Sequence, residues 1–82
     1  MKLPRDLSGR EFAKLLRRFG YEVVRQEGSH LRLLSNYKGF PHLITIPNHP
    51  ELKIGTPRTI VRLVADYLPL ESGDLIRELL KR

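Results

Sequence analysis

His30 follows Gly28-Ser29 directly and heads the alternating run His30-Leu31-Arg32-Leu33-Leu34. An imidazole with an ordinary pKa of about 6.5 can take or give a proton near neutral pH, so the chemistry this residue offers is general acid-base catalysis. A surface histidine without a catalytic role has the same spacing, and the residues alone leave both readings open. His42 and His49 are the other histidines; the three are spread over two expected strands and a loop without the spacing of a zinc motif, so no metal site is expected. There is no recognisable Ser-His-acid arrangement and no glycine-rich nucleotide loop.

Lys53, Arg58 and Arg62 surround Gly55-Thr56, where a helix is expected to begin. Free amides at a helix start attract anions, so Gly55-Thr56 beside Lys53 and Arg58 suits a phosphate; a well-capped helix with solvated charges reads identically. Arg62 has an alternative partner in Asp66, one turn on. Arg10, Lys14, Arg17 and Arg18 form a second basic row on the first expected helix. Tyr21, Tyr37 and Phe40 could stack on bases, although packing is the commoner use of such rings.

These residues need elements to hold them. Ser8-Gly9-Arg10-Glu11 has capping-box spacing, and Phe12, Leu15, Leu16 and Phe19 follow at helical intervals, which predicts a helix over 9–19 ended by Gly20. Residues 21–26 read as a strand, Gly28-Ser29 as a two-residue hairpin turn, and residues 30–34 as the second strand. Period two then puts Leu31 and Leu33 on the buried face and His30, Arg32 and Leu34 on the other. After a turn at residues 35–39, Phe40 to Pro47 reads as a third strand, with both prolines at its ends. Thr56 as N-cap and Pro57 at the first helical position predict a second helix with Ile60, Leu63, Val64, Tyr67 and Leu68 as its apolar stripe, stopped by Pro69. Ser72-Gly73-Asp74 starts a short third helix with Leu75, Ile76, Leu79 and Leu80 on one face and Lys81-Arg82 at its end. The expected fold is α+β: a three-stranded antiparallel sheet with two helices on one face, in the order α-β-β-β-α, plus a short C-terminal helix. The other sheet face is expected to stay open to a flat substrate such as an RNA strand.

Eighty-two residues make one domain, 1–82, too small for a deep substrate cavity. Fifteen Lys plus Arg against nine Asp plus Glu give a formal charge of +6, which favours polyanionic partners, nucleic acid first, through counterion release. Charge that merely aids solubility is the alternative. With no cysteine, disulfides and thiolate chemistry are excluded, which suits a reducing cytosol. The apolar runs are too short to span a bilayer, and Met1-Lys2-Leu3-Pro4-Arg5-Asp6 lacks the apolar stretch of a signal peptide, so a cytoplasmic protein without membrane contact is expected.

Gly28-Ser29-His30 after Tyr21-Glu22-Val23-Val24-Arg25, then Ile46-Pro47-Asn48-His49, then Leu52-Lys53-Ile54-Gly55-Thr56-Pro57-Arg58-Thr59-Ile60, resembles the HicA family of toxin mRNA interferases over about residues 8–68. The resemblance implies a double-stranded-RNA-binding-domain-like fold, RNA cleavage without a metal or other cofactor, and neutralisation by a HicB-like antitoxin. The family's catalytic histidine falls on His30, with Gly28 and Ser29 before it; Gly55 and Thr56 match its glycine-threonine at the start of the last helix. Pro57 replaces a residue that is more often aliphatic, and residues 69–82 extend past the usual end. That tail could pack on the domain, build a homodimer through the C-terminal helix, or contact an antitoxin.

The expectation is therefore an endoribonuclease acting on mRNA, with His30 as base, Arg32, Lys53, Thr56, Arg58 and Lys14 on RNA phosphates, and His49 as a second proton carrier. Two rival readings use the same surface. One is a non-catalytic RNA-binding module with His30 as a contact; the other is an inactive relative acting through protein interaction.

Overall fold

Ser8 and Glu11 start the first helix with a reciprocal cap. The Glu11 amide donates to Ser8 Oγ at 3.1 Å and the Ser8 amide to Glu11 Oε1 at 3.0 Å, so two otherwise unpaired donors are satisfied. In the computed structural model, which describes residues 6–53 and 55–81, α1 spans Gly9–Leu16 and tightens into a 3₁₀ turn, Arg17–Phe19. The single helix expected over 9–19 is thus two segments. Gly20 follows at φ 79°, the left-handed position that releases the chain. Residues 1–5, Ile54 and Arg82 lie outside the described residues, among them the expected basic end of the last helix at Arg82.

β1 (Glu22–Glu27), β2 (His30–Ser35) and β3 (His42–Pro47) form an antiparallel sheet in the order β1-β2-β3. Gly28 has φ 57° at the first position of the two-residue turn, where a glycine is needed for the turn to match the twist of its strands. Leu31 and Leu33 pair with Ile46 and Ile44, and all four are buried. Each such side chain contributes roughly 1.5–3 kcal/mol, so a one-residue slip, which would turn all of them to solvent, is strongly disfavoured. The third strand starts at His42 rather than Phe40, and Tyr21 precedes β1 as a fully buried core residue.

α2 (Gly55–Tyr67) begins one residue before the expected cap, so Thr56 and Pro57 are its second and third residues rather than N-cap and first. Pro57 is still tolerated, because the first-turn amides have no partner within the helix. Its buried stripe is Ile60, Val61, Val64, Ala65 and Tyr67, with Leu68 just beyond; Leu63, expected inside, is 47% exposed. α3 (Ser72–Leu79) packs on α2 and sends Leu75 and Leu79 fully into the core they share with α1, α2 and the sheet. The extension therefore covers its apolar face with its own chain. Both main helices lie on one face of the sheet, which is the α-β-β-β-α arrangement expected.

Both helices also run the same way. Gly9, at the start of α1, donates its amide to His49 O at 3.0 Å, while Phe19 O, past its end, accepts from Ser35 Oγ at 2.6 Å. Tyr67, at the end of α2, reaches Phe40 O at 2.6 Å. The helix N-termini thus share the end of the sheet where β2 begins and β3 ends.

Candidate functional site

His30 opens β2 at that end. It is exposed, and strand alternation turns it to the face opposite the helices together with Arg32 and Leu34. The cross-strand partners on this open face are Glu27, Arg25 and Glu22 from β1 and Pro47, Thr45 and Leu43 from β3. Glu27 stands directly opposite His30 across the Gly28-Ser29 turn. Its carboxylate Oε1 lies 2.7 Å from Arg32 Nε and 3.8 Å from Arg25 Nε. Arg32 Nε is shielded from solvent but lacks the alignment of a hydrogen bond, so the contact is an ion pair. Arg32, expected to be free for a phosphate, is therefore already paired with an acid. Glu27 was not singled out from the sequence, yet a two-residue turn after it pairs residues 27 and 30 by necessity.

His49 reaches the same end of the sheet. Pro47 pairs with His30, and the next amide, Asn48 N, donates to Ser29 O at 2.6 Å. The loop is then fixed to residues 7–9, through Gly9 N to His49 O at 3.0 Å and Leu52 N to Leu7 O at 2.9 Å. Gly9 is required there, because a Cβ would run into the Pro47 carbonyl oxygen. His49 is exposed on this loop, Lys53 lies exposed four residues further on, and Thr56 N closes a turn onto Lys53 O at 3.0 Å. Arg58 is exposed in the first turn of α2. His30, His49, Lys53, Thr56 and Arg58 are thus gathered toward one end of the molecule, where two helix N-termini add positive dipole ends. No ion pair joins Arg62 to Asp66 among the described residues.

Lys14 sits elsewhere. It lines a groove of about 520 Å³ between α1 and β1, on the helix side of the sheet and apart from the face that carries His30.

His42 is also removed from His30. It pairs with Ser35, five residues along β2, which at the ordinary strand rise is about 17 Å away. On the helix face it stacks on Tyr67, with centroids 4.6 Å apart and planes 9° from parallel. Its Nδ1 is 2.6 Å from Tyr21 Oη. Burial holds the His42 imidazole below its usual range and pushes the Tyr21 phenol up, burial being the larger cause there and the neighbouring Tyr67 the smaller. With the phenol protonated, we assign it as donor and Nδ1 as acceptor. Tyr67 Oη completes the cluster by accepting from Lys38 N at 3.0 Å. This network closes the far end of the sheet and is structural; sequence reading did not find it, since its bonded pairs are 21 and 29 residues apart. Tyr21 is consumed by it, while Tyr37 and Phe40 remain more than half exposed beside Phe19 and Tyr67.

Among the described residues, no three His, Asp or Glu side chains stand together as metal ligands would. None of the described helices is long and apolar enough to cross a membrane.

The fold is thus that of a small α+β domain with an exposed histidine on its open sheet face, behind a glycine turn and at the end where both main helices begin. The family model for the HicA toxin of bacterial toxin-antitoxin systems matches residues 9–64, more than half of the chain. The protein belongs to the HicA toxin family. No curated protein matches the chain, and no solved structure does. Toxins of this family act in systems that pair them with an antitoxin.

Proposed function

We propose that this protein is an endoribonuclease, an mRNA interferase silenced by a HicB-like antitoxin, and that His30 is its catalytic group. The observation that carries the reading is the exposure of His30 on the open sheet face, inside the segment matched to the toxin family. A strand of RNA laid on that face would bring a ribose to the imidazole.

In the proposed reaction neutral His30 takes the proton of a ribose 2′-hydroxyl. That oxygen attacks the adjacent phosphorus, the bond from phosphorus to the 5′-oxygen breaks, and the leaving oxygen takes a proton from His49 or water. The products are a 2′,3′-cyclic phosphate and a 5′-hydroxyl. Lys53 and Arg58, with the Thr56 hydroxyl and the α2 amides, would offset the charge that develops on the phosphate. Arg32 would join them once a phosphate competes for it with Glu27. The route needs no metal, and mRNA as substrate implies the cytoplasm. Since α3 buries its apolar face in its own core, a homodimer through α3 would have only its polar side to use.

The test is incubation of the purified protein with RNA in excess chelator. Fragments ending in 2′,3′-cyclic phosphate or 3′-phosphate are expected. Products with 3′-hydroxyl ends would contradict the 2′-hydroxyl route.

The non-catalytic reading is a distinct alternative, favoured by one observation: the Glu27 carboxylate, which stands opposite His30 across the turn, is directed to Arg32 rather than to the imidazole, so it does not orient His30 as a base. It predicts salt-sensitive binding of RNA without turnover.

A further inference from the structure

Val23 is on the wrong side of the sheet to be exposed. It pairs with Leu33, whose side chain is fully buried, so register points it to the helix face, yet 51% of Val23 is open to solvent. The reason is that α1 does not cover the outer strand: all six residues of β1 are exposed, and a groove of about 520 Å³ separates the strand from the helix. Ala13, Val23 and Leu31 line it with apolar surface, and Arg10, Lys14 and Arg17 line it with positive charge. These three cations recur at positions 10, 14 and 17, one face of α1 and of the 3₁₀ turn that continues it. Among the described residues no carboxylate comes within ion-pair distance of any of them.

Two further features give the groove a direction and an edge. Arg10 Nη2 donates to Gln26 Oε1 at 3.5 Å, so the start of α1 lies against the end of β1, and Arg17 lies at the end where the chain enters the strand. The far side of β1 pairs with no strand among the described residues, which leaves main-chain donors and acceptors free on either side of the irregularity between Val23 and Arg25.

We infer that this groove and the free edge of β1 dock an extended acidic segment of the antitoxin. The segment would add as a strand beside β1, with an apolar side chain on Val23 and carboxylates facing Arg10, Lys14 and Arg17. The inference rests on the toxin-antitoxin reading and names the surface that reading leaves open. Charge decides among occupants. A second copy would bring another +6 to a basic groove, which repels it. RNA would satisfy the cations but neither the apolar floor nor the strand edge. Glu11 and Glu22 are also among the lining residues, but Glu11 is held by its bonds to Ser8, so the three cations outnumber the acids that an incoming segment would meet.

The experiment uses the full chain and, as probe, the antitoxin encoded by the adjacent reading frame, purified separately. Titration calorimetry compares wild type, Arg10→Glu with Arg17→Glu, and the charge-keeping Arg10→Lys with Arg17→Lys. The reversal is expected to weaken antitoxin binding at least tenfold while RNA binding falls much less, and the lysine pair is expected to bind as wild type does. Independently of any variant, amide exchange along residues 22–27 should slow when antitoxin is added. Equal affinity of all three proteins, or unchanged exchange in β1, would overturn the proposal and leave the toxin reading intact. Parallel loss of RNA and antitoxin binding would make the groove an RNA surface, and a wild-type dimer separated by the charge reversal would make it a self-contact; either overturns it. Failure of the wild type to bind the antitoxin would overturn the toxin-antitoxin reading itself.

Discussion

Glu27 and His30 occupy the last rung of the β1–β2 ladder, with only Gly28 and Ser29 between them, and the Glu27 carboxylate is turned to Arg32 at 2.7 Å. An acid beside the proposed base thus holds Arg32, a cation on the same open face. Glu27→Gln should free Arg32 and remove a negative charge from the RNA surface. RNA binding measured by fluorescence anisotropy at low salt is expected to tighten. Stability should change by no more than about 1 kcal/mol, since both side chains are close to half exposed. Weaker binding would show that Glu27 is needed to orient Arg32.

The burial of His42, which accepts from Tyr21 Oη at 2.6 Å, makes stability depend on pH. Burial holds the folded-state pKa of His42 below its unfolded value of about 6.5, so the unfolded chain binds more protons in the window between the two. Stability contributed by the neutral imidazole is complete above about pH 6.5 and falls as pH drops toward the folded value. Urea unfolding at pH 7.5 and pH 5 should show the loss, and His42→Phe should flatten this part of the profile. Tyr21→Phe leaves the ring nitrogen without its partner, at a cost of about 1–3 kcal/mol.

Two glycines should respond in opposite directions to alanine. A Cβ at Gly9 meets the Pro47 carbonyl, so Gly9→Ala must push α1 away from the end of β3 and is expected to destabilise by about 1–3 kcal/mol. Gly73 lies in α3 with open space around it, and Gly73→Ala should stabilise by about 0.4–1 kcal/mol. Thermal unfolding of the pair checks both signs.

Leu79 is fully buried although it belongs to the C-terminal extension. Leu79→Ala should cost about 2–5 kcal/mol, the range for truncating a core leucine. A loss below about 0.5 kcal/mol would mean that α3 does not share the core.

Much of this was legible because local signals agreed with one another. The Ser8/Glu11 box, the Gly28 turn and the alternation of Leu31 and Leu33 each depend on neighbours in the chain, and each was found as expected. They were enough to put His30 on the open face. The start of α2 and the exposure of Leu63 were misread because packing against the sheet and α3, not the sequence near residue 56, sets which face of that helix is covered. The Tyr21–His42–Tyr67 cluster and the contact of Gly9 with Pro47 join distant segments and leave no periodic trace. Glu27 was readable in principle, since a two-residue turn pairs its flanks. The half-exposed Val23 was not, because alternation gives the face of a residue but not whether a helix reaches far enough to cover it.

The central claim is that His30 performs the proton transfer. The most direct measurement compares RNA cleavage by wild type and His30→Ala in excess chelator, with RNA binding and thermal unfolding followed in parallel. The substitution is expected to lower cleavage on the order of a hundred- to ten-thousand-fold while the variant folds and still binds RNA. A folded His30→Ala protein that cleaves RNA at the wild-type rate would contradict the account.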